Sequence, residues 1–303
     1  MTRCEVIPEA NHEVAFLIDG VERTRWHFGT QYPRPFFYPF TGPSGRSLTR
    51  MGHPGAPNHD HHQSIWFAHY KVLGINFWNN QSDAYVRQIQ WLAYEDGADE
   101  ARMAASLGWY DGHDPAPLMT QELIVAVRPS GDQETELEVQ SRFVPTAESL
   151  ELQKTNFGFL GVRDAQHISA VFGGGTVTSS AGQSGGAKVH EQIATWMDYS
   201  GQPAEAADSR EGITYFDHPQ NIGQPSLWHV RDDGWMCASP CQRASVTTTK
   251  SSPLELRYLL LAHRGGVDAP RFDALHKQFA QRPKLVVKKS AKPHHFAEIT
   301  RTV

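Results

Sequence analysis

The segment Thr135-Glu-Leu-Glu-Val-Gln-Ser-Arg-Phe143 alternates strictly, with Glu136, Glu138, Gln140 and Arg142 on one side and Leu137, Val139, Ser141 and Phe143 on the other. Successive side chains of a strand point to opposite faces, so this period of two predicts a strand with one face buried and one face solvated. The same period runs through Glu13-Val-Ala-Phe-Leu-Ile-Asp19, Val86-Arg-Gln-Ile-Gln-Trp-Leu92, Leu118 to Val127 and Leu254-Glu-Leu-Arg-Tyr-Leu-Leu260. Turn-forming clusters such as Pro43-Ser-Gly45, Glu95-Asp-Gly97, Pro129-Ser-Gly131, Gly173-Gly-Gly175 and Asp232-Asp-Gly234 separate the runs. A single helix is expected over 268–281, where Asp268 can cap, Pro270 suits the first turn, and Phe272, Leu275 and Phe279 share a face. Many short strands and one late helix predict an all-β protein, a large antiparallel β-sandwich rather than a βαβ protein. Residues 1–303 read as one domain, and 284–303, with four lysines plus His294 and His295, as a solvated basic tail.

Composition bounds the function. Hydrophobic residues make up 39% and charged residues 20% of the 303 positions, enough for a large core. The net charge of -5 gives no electrostatic footprint for nucleic acid. Apolar runs such as Tyr258-Leu-Leu-Leu-Ala262 fall well short of the roughly 20 residues a membrane span needs. Glu5 and Pro8 stand where a secretory signal would be apolar, which predicts cytoplasmic residence. Cys4, Cys237 and Cys241 form no disulfide framework and read as structural thiols. Gly173-Gly-Gly175 and Gly185-Gly186 lack the helix and lysine of a phosphate loop, so no nucleotide cofactor is expected.

The chemistry concentrates in Gly52-His-Pro-Gly-Ala-Pro-Asn58-His-Asp-His-His-Gln-Ser-Ile-Trp66-Phe-Ala-His-Tyr70, which holds five of the sixteen histidines. Histidine exchanges a proton or ligates a metal near neutral pH. If the segment is extended, His59 and His61 share one face and His62 takes the other. General acid–base work, a divalent metal held by His59 and His61 with a distant histidine, and backbone-bonding structural histidines are the three readings.

Several blocks carry a family resemblance: Pro35-Phe-Phe-Tyr-Pro39, the histidine segment, Gly74-Ile-Asn-Phe-Trp78, Lys154-Thr-Asn-Phe-Gly158 with Gly161-Val-Arg163, Trp196-Met-Asp-Tyr-Ser-Gly201, Phe216-Asp-His-Pro219 and Trp228-His-Val-Arg231. Spread over roughly residues 30 to 265, they resemble the bacterial PmoA-like family, DUF6807. The oxygenase label does not fit, because a genuine methane monooxygenase subunit spans the membrane. The resemblance implies a sugar-processing setting beside oxidoreductases of the glucose–fructose type, and an architecture similar to the galactose-mutarotase-like supersandwich. The chain departs from the family pattern at Asn58, Asp60, Gln63 and Asn156, although Asp60 returns a carboxylate to the cluster.

The expected function is therefore an enzyme on a sugar or keto-sugar derivative, cleaving or rearranging a C–O bond by His/Glu acid–base chemistry. The alternatives are a non-catalytic carbohydrate-binding or regulatory module and a His-ligated metal-dependent oxygenase or hydrolase. The catalytic candidates are His59, His61, His62, Glu122, Lys154, His218 and His229. Glu122 interrupts an apparently buried strand, and a buried carboxylate needs a partner such as Arg163 or a proton. Asp217 beside His218 offers an orienting carboxylate, and Lys154 a group to polarise a carbonyl or hold an anion. The substrate-binding candidates are Trp66, His69, Asn156, Arg163, Trp228 and Arg231, with Trp66 or Trp228 under the ring. Individually, His69, His113, His167, His190 and His263 read as structural. One concave surface should gather the cluster, Lys154, Arg163, His218 and His229.

Overall fold

The five alternating segments all form strands, and they belong to two eight-stranded sheets. The structure, a computed structural model, describes residues 3–302 apart from 54, 56–58 and 203–208, so Asn58 lies outside the described residues. The first sheet runs, in spatial order, Cys4–Glu9, Glu13–Ile18, Val21–His27, Phe36–Phe40, Ile65–His69, Gly158–Arg163, Trp235–Ser239 and Leu227–Arg231. The second runs Thr176–Ser179, Trp196–Gly201, Glu211–Asp217, Leu254–Arg264, Thr135–Pro145, Met119–Pro129, Ala101–Tyr110 and Tyr85–Glu95. Pairing is antiparallel throughout these described strands. The sheets pack face to face over one continuous core that includes Phe16, Phe67, Leu160 and Met236 from the first and Leu123, Val139, Tyr215 and Leu260 from the second. The protein is thus the large antiparallel sandwich that the alternation predicts.

The helix spans Ala269–Gln281, and the Asp268 side chain accepts from the Arg271 backbone N–H at 3.1 Å. Its Phe272, Leu275 and Phe279 pack on Trp196, Phe216, Leu259 and Leu261, on the outer face of the second sheet.

Two sequence expectations need correction. The polar side of Thr135–Pro145 is not solvated: Glu136, Glu138 and Gln140 are buried. Residues 284–303 are not a free tail either, because Leu285–Lys289 pairs with Ala297–Arg301 in a hairpin laid over that face. The Gln140 amide donates to the Leu285 carbonyl at 2.7 Å and accepts the Leu285 N–H at 3.1 Å. Glu138, fully buried, meets Arg128 at 2.6 Å, Arg301 at 2.9 Å, Arg282 at 3.1 Å and Arg257 at 3.2 Å. Alternation reports that two faces differ in chemistry; it does not report what covers the polar one.

Candidate functional site

Four adjacent strands of the first sheet build the floor of the site on its outer face, away from the core. On Ile65–His69, residues Ile65 and Phe67 enter the core while Trp66 and Ala68 turn outward. On Trp235–Ser239, Met236 and Ala238 point in and Trp235 and Cys237 out. Gly161 leaves the space that the Trp235 indole fills: a Cβ there would sit 2.3 Å from the ring. Over this aromatic floor stands a cavity of about 460 Å³ lined by His59, Asp60, His61, His62, Trp78, Phe157, His229, Arg231 and Trp235, with Tyr70, Asn79, Asn80 and Gln81 at its edge.

The histidines converge by a turn, not a strand. The His62 N–H donates to the His59 carbonyl at 3.0 Å, so the extended alternation expected of His59, His61 and His62 does not occur. All three rings instead face the cavity, with centroids 5.9 Å apart for His59 and His61 and 4.4 Å for His61 and His62. His62 stacks on Trp235 at 4.8 Å, and its Nδ1 is buried without a partner. Burial, reinforced by His61 and Arg163, pushes its pKa far below the usual histidine range.

His229 enters from the neighbouring strand. The Trp235 indole N–H donates to His229 Nδ1 at 3.3 Å. An indole N–H only donates, so His229 must be neutral with its proton on Nε2, and burial with His190 and Arg231 nearby lowers its pKa to about 3. His59 is also lowered, first by burial and then by Arg231, whose Nη1 lies 3.5 Å from His59 Nε2. Behind these groups Asp233 takes Arg231 at 3.1 Å, Arg163 at 3.0 Å and His53 at 3.4 Å. The guanidinium groups of Arg163 and Arg231 hold that carboxyl below its ordinary range against the opposing effect of burial.

The other candidates fall elsewhere. Arg163 is fully buried and outside the lining, and it bears on the site through its ion pair with Asp233 and its charge beside His62. Trp66 is part of the floor, 5.0 Å from Trp235, but does not line the cavity. Trp228 lies in the core, donating to the Ala194 carbonyl at 2.9 Å, because it alternates with His229. His69 likewise points inward, stacked on Phe159 at 4.6 Å with Nε2 3.0 Å from the Gln153 carbonyl. Asn156 contributes its carbonyl to Ser239 Oγ at 2.7 Å and is outside the lining. Lys154 lines a second concavity beyond Tyr70.

Glu122 and His218 are separated from the cavity by the thickness of the sandwich. Glu122 sits opposite Arg142 on the outer face of the second sheet, where burial raises its pKa and Arg142 opposes the rise. It does not meet Arg163. His218 lies under the helix, 4.8 Å from Phe279 and 3.0 Å from Arg257, and burial lowers its pKa to about 4. Asp217 does not orient it, since its carboxylate accepts from Asn221 at 2.7 Å.

Sequence reasoning passed over Trp78, Trp235 and Phe157 as site residues. Trp235 was within reach: across the Asp232-Asp-Gly234 turn it pairs with Arg231, so it must share the face of His229 and Arg231. Among the described residues no group of three His, Cys, Asp or Glu side chains is placed to hold a metal ion. The three cysteines are free and buried. None of the helices in the described residues is long and apolar enough to cross a membrane.

Fold and site together define a two-sheet β-sandwich with a histidine- and indole-lined cavity over one half of the first sheet. The chain belongs to the family of unknown function DUF6807, which it matches over residues 13–277. That match lends no support to the PmoA-like label. Among solved structures, the α-galactosidase from Lactobacillus brevis is similar at a TM-score of 0.41 and 9% identity, over 88% of this chain and 40% of that one. The chain thus spans two-fifths of that protein's length, and a likeness at this level says nothing of activity. Comparison with curated proteins finds no match.

Proposed function

We propose that the protein binds a sugar-like small molecule in the cavity and acts on it by histidine acid–base chemistry. The observation that carries this reading is the lining itself: indole and phenyl surfaces of Trp78, Trp235 and Phe157 converge with imidazoles, a carboxylate, a guanidinium and three side-chain amides. An apolar wall stacks on the C–H face of a pyranose, while the polar groups fix its hydroxyls, and a volume of about 460 Å³ suits a ligand of that size. His62 and His229 are held neutral, so they add no positive charge to the cavity. His61 is the proposed base, taking a proton from a hydroxyl or from a carbon beside a carbonyl. The His61 imidazolium so formed returns the proton to the departing or rearranging oxygen, beside the Asp60 carboxylate. Arg231, aligned by Asp233, faces the charge that develops on that oxygen.

The test is tryptophan fluorescence and calorimetry over sugars, keto-sugars and glycosides, with turnover followed on every ligand that binds. His61→Ala should keep its fold and its binding while turnover falls about a hundredfold or more. Tight binding by the wild type without turnover would make it a carbohydrate-binding module. A stoichiometric redox metal in a protein that binds no sugar would replace this reading with the metal-dependent one.

A further inference from the structure

The loop that walls the main cavity also walls a second one. Tyr70, Lys71, Gly74, Asn76, Gln153, Lys154 and Ser245 enclose a concavity of about 430 Å³, and Tyr70 lines both. Between them runs the same segment, since the turn after Asn76 presents Trp78, Asn79 and Asn80 to the main cavity. A ligand that reached from Trp78 into the second concavity would therefore pass Tyr70.

The second concavity is built of donors. No carboxylate lines it, in a chain whose net charge is -5. The Gln153 N–H donates to the Lys71 carbonyl at 2.9 Å, which places the Lys71 and Gln153–Lys154 segments side by side. Among the described residues neither ammonium group forms an ion pair, unlike Lys250, Lys284 and Lys288, which each meet a glutamate. Asn76 Oδ1 already accepts the Trp78 and Asn79 N–H groups at 2.8 and 3.3 Å, so its remaining capacity is its NH2. Ser245 Oγ accepts the Lys154 N–H at 3.1 Å, leaving its hydroxyl hydrogen to donate. In the main cavity, by contrast, Arg231 is held in a bidentate pair with Asp233, through Nε at 3.3 Å and Nη2 at 3.1 Å.

We infer that Lys71 and Lys154, with Asn76 and Ser245, form an anion-binding arm of the site, and that the substrate is a sugar derivative carrying a phosphate or carboxylate group. The class of substrate rests on the sugar reading of the main cavity; the anion site does not. Two ammonium groups and two neutral donors match the oxygens of an oxyacid, and the shared Tyr70 sets the anion at one end of a molecule whose ring stacks on Trp78.

The experiment compares glucose, glucose 6-phosphate, glucuronate and inorganic phosphate by calorimetry on the wild type, Lys71→Met, Lys154→Met and the double variant. These lysines are exposed, so the variants fold. At least one of the charged sugars should bind about tenfold or more tightly than glucose, lose most of that advantage in the double variant, and weaken as salt rises while glucose does not. Equal binding of charged and neutral sugars, or an advantage that survives in the double variant, overturns the inference. So does the absence of binding by every anionic probe. Lysine-dependent binding of inorganic phosphate with no sugar bound keeps the anion site and sinks the sugar reading instead.

Discussion

Trp235 holds two histidines at once, His229 through its N–H and His62 through its ring face. Trp235→Phe keeps the stacking surface and removes the donor that requires an unprotonated Nδ1. The His229 pKa should then rise from about 3 by roughly one unit, the worth of one hydrogen bond, in an NMR titration of the imidazole. An unchanged value would mean that burial alone sets it. The sign for stability follows: a histidine held below its unfolded value contributes stability at neutral pH that is lost as pH falls from about 6.5 through about 3. The histidine cluster and His229 were legible in the sequence as expensive polar residues beside apolar runs. Trp228 was misplaced because adjacent strand residues cannot face the same ligand, and His218 because a matched block fixes position along the chain and not the side of the sandwich.

At the scale of elements, the C-terminal helix and hairpin are the lid on the second sheet. Glu138→Gln leaves Arg128, Arg257, Arg282 and Arg301 around a neutral amide. Stability in urea should fall by about 3–5 kcal/mol, the usual cost of stripping one partner from a buried ion cluster. The arginines hold the Glu138 carboxyl down at about 2 against the effect of its burial, so its contribution is present above about pH 4.5 and disappears as pH falls through 2. The gap between wild type and variant should therefore narrow on acidification; a gap that widens would refute the assignment. Phe279→Ala, which empties the contact between helix and sheet, should cost about 3–5 kcal/mol by the same measurement. The helix was readable from its cap and its apolar stripe, whereas the hairpin was not. Its lysines advertise solvent, and the buried Leu285, Ala297 and Ile299, with Val287 packed beside them, are too few to show a period that marks the docking face.

Across the whole molecule, one core draws side chains from both eight-stranded sheets. Unfolding by urea should then be a single transition, with far-ultraviolet circular dichroism and tryptophan fluorescence coinciding. Two separated midpoints would divide the chain into domains. The arrangement also bears on how the protein comes into being. A ribosome releases Glu136 and Glu138 at least 144 residues (282 − 138) before the guanidinium groups of Arg282 and Arg301. During that interval Arg128, and later Arg257, are the only partners of this cluster that have emerged, so the strand Thr135–Pro145 shows a partly neutralised acidic row, which repels other nascent strands in the manner of charged edges. Full neutralisation of the row thus waits for Arg282 and Arg301. Ribosome-stalled chains ending before Arg282 should be cut by protease within 135–145, and chains reaching past Arg301 should resist. Equal protection of the two would show that the sheet closes without its lid.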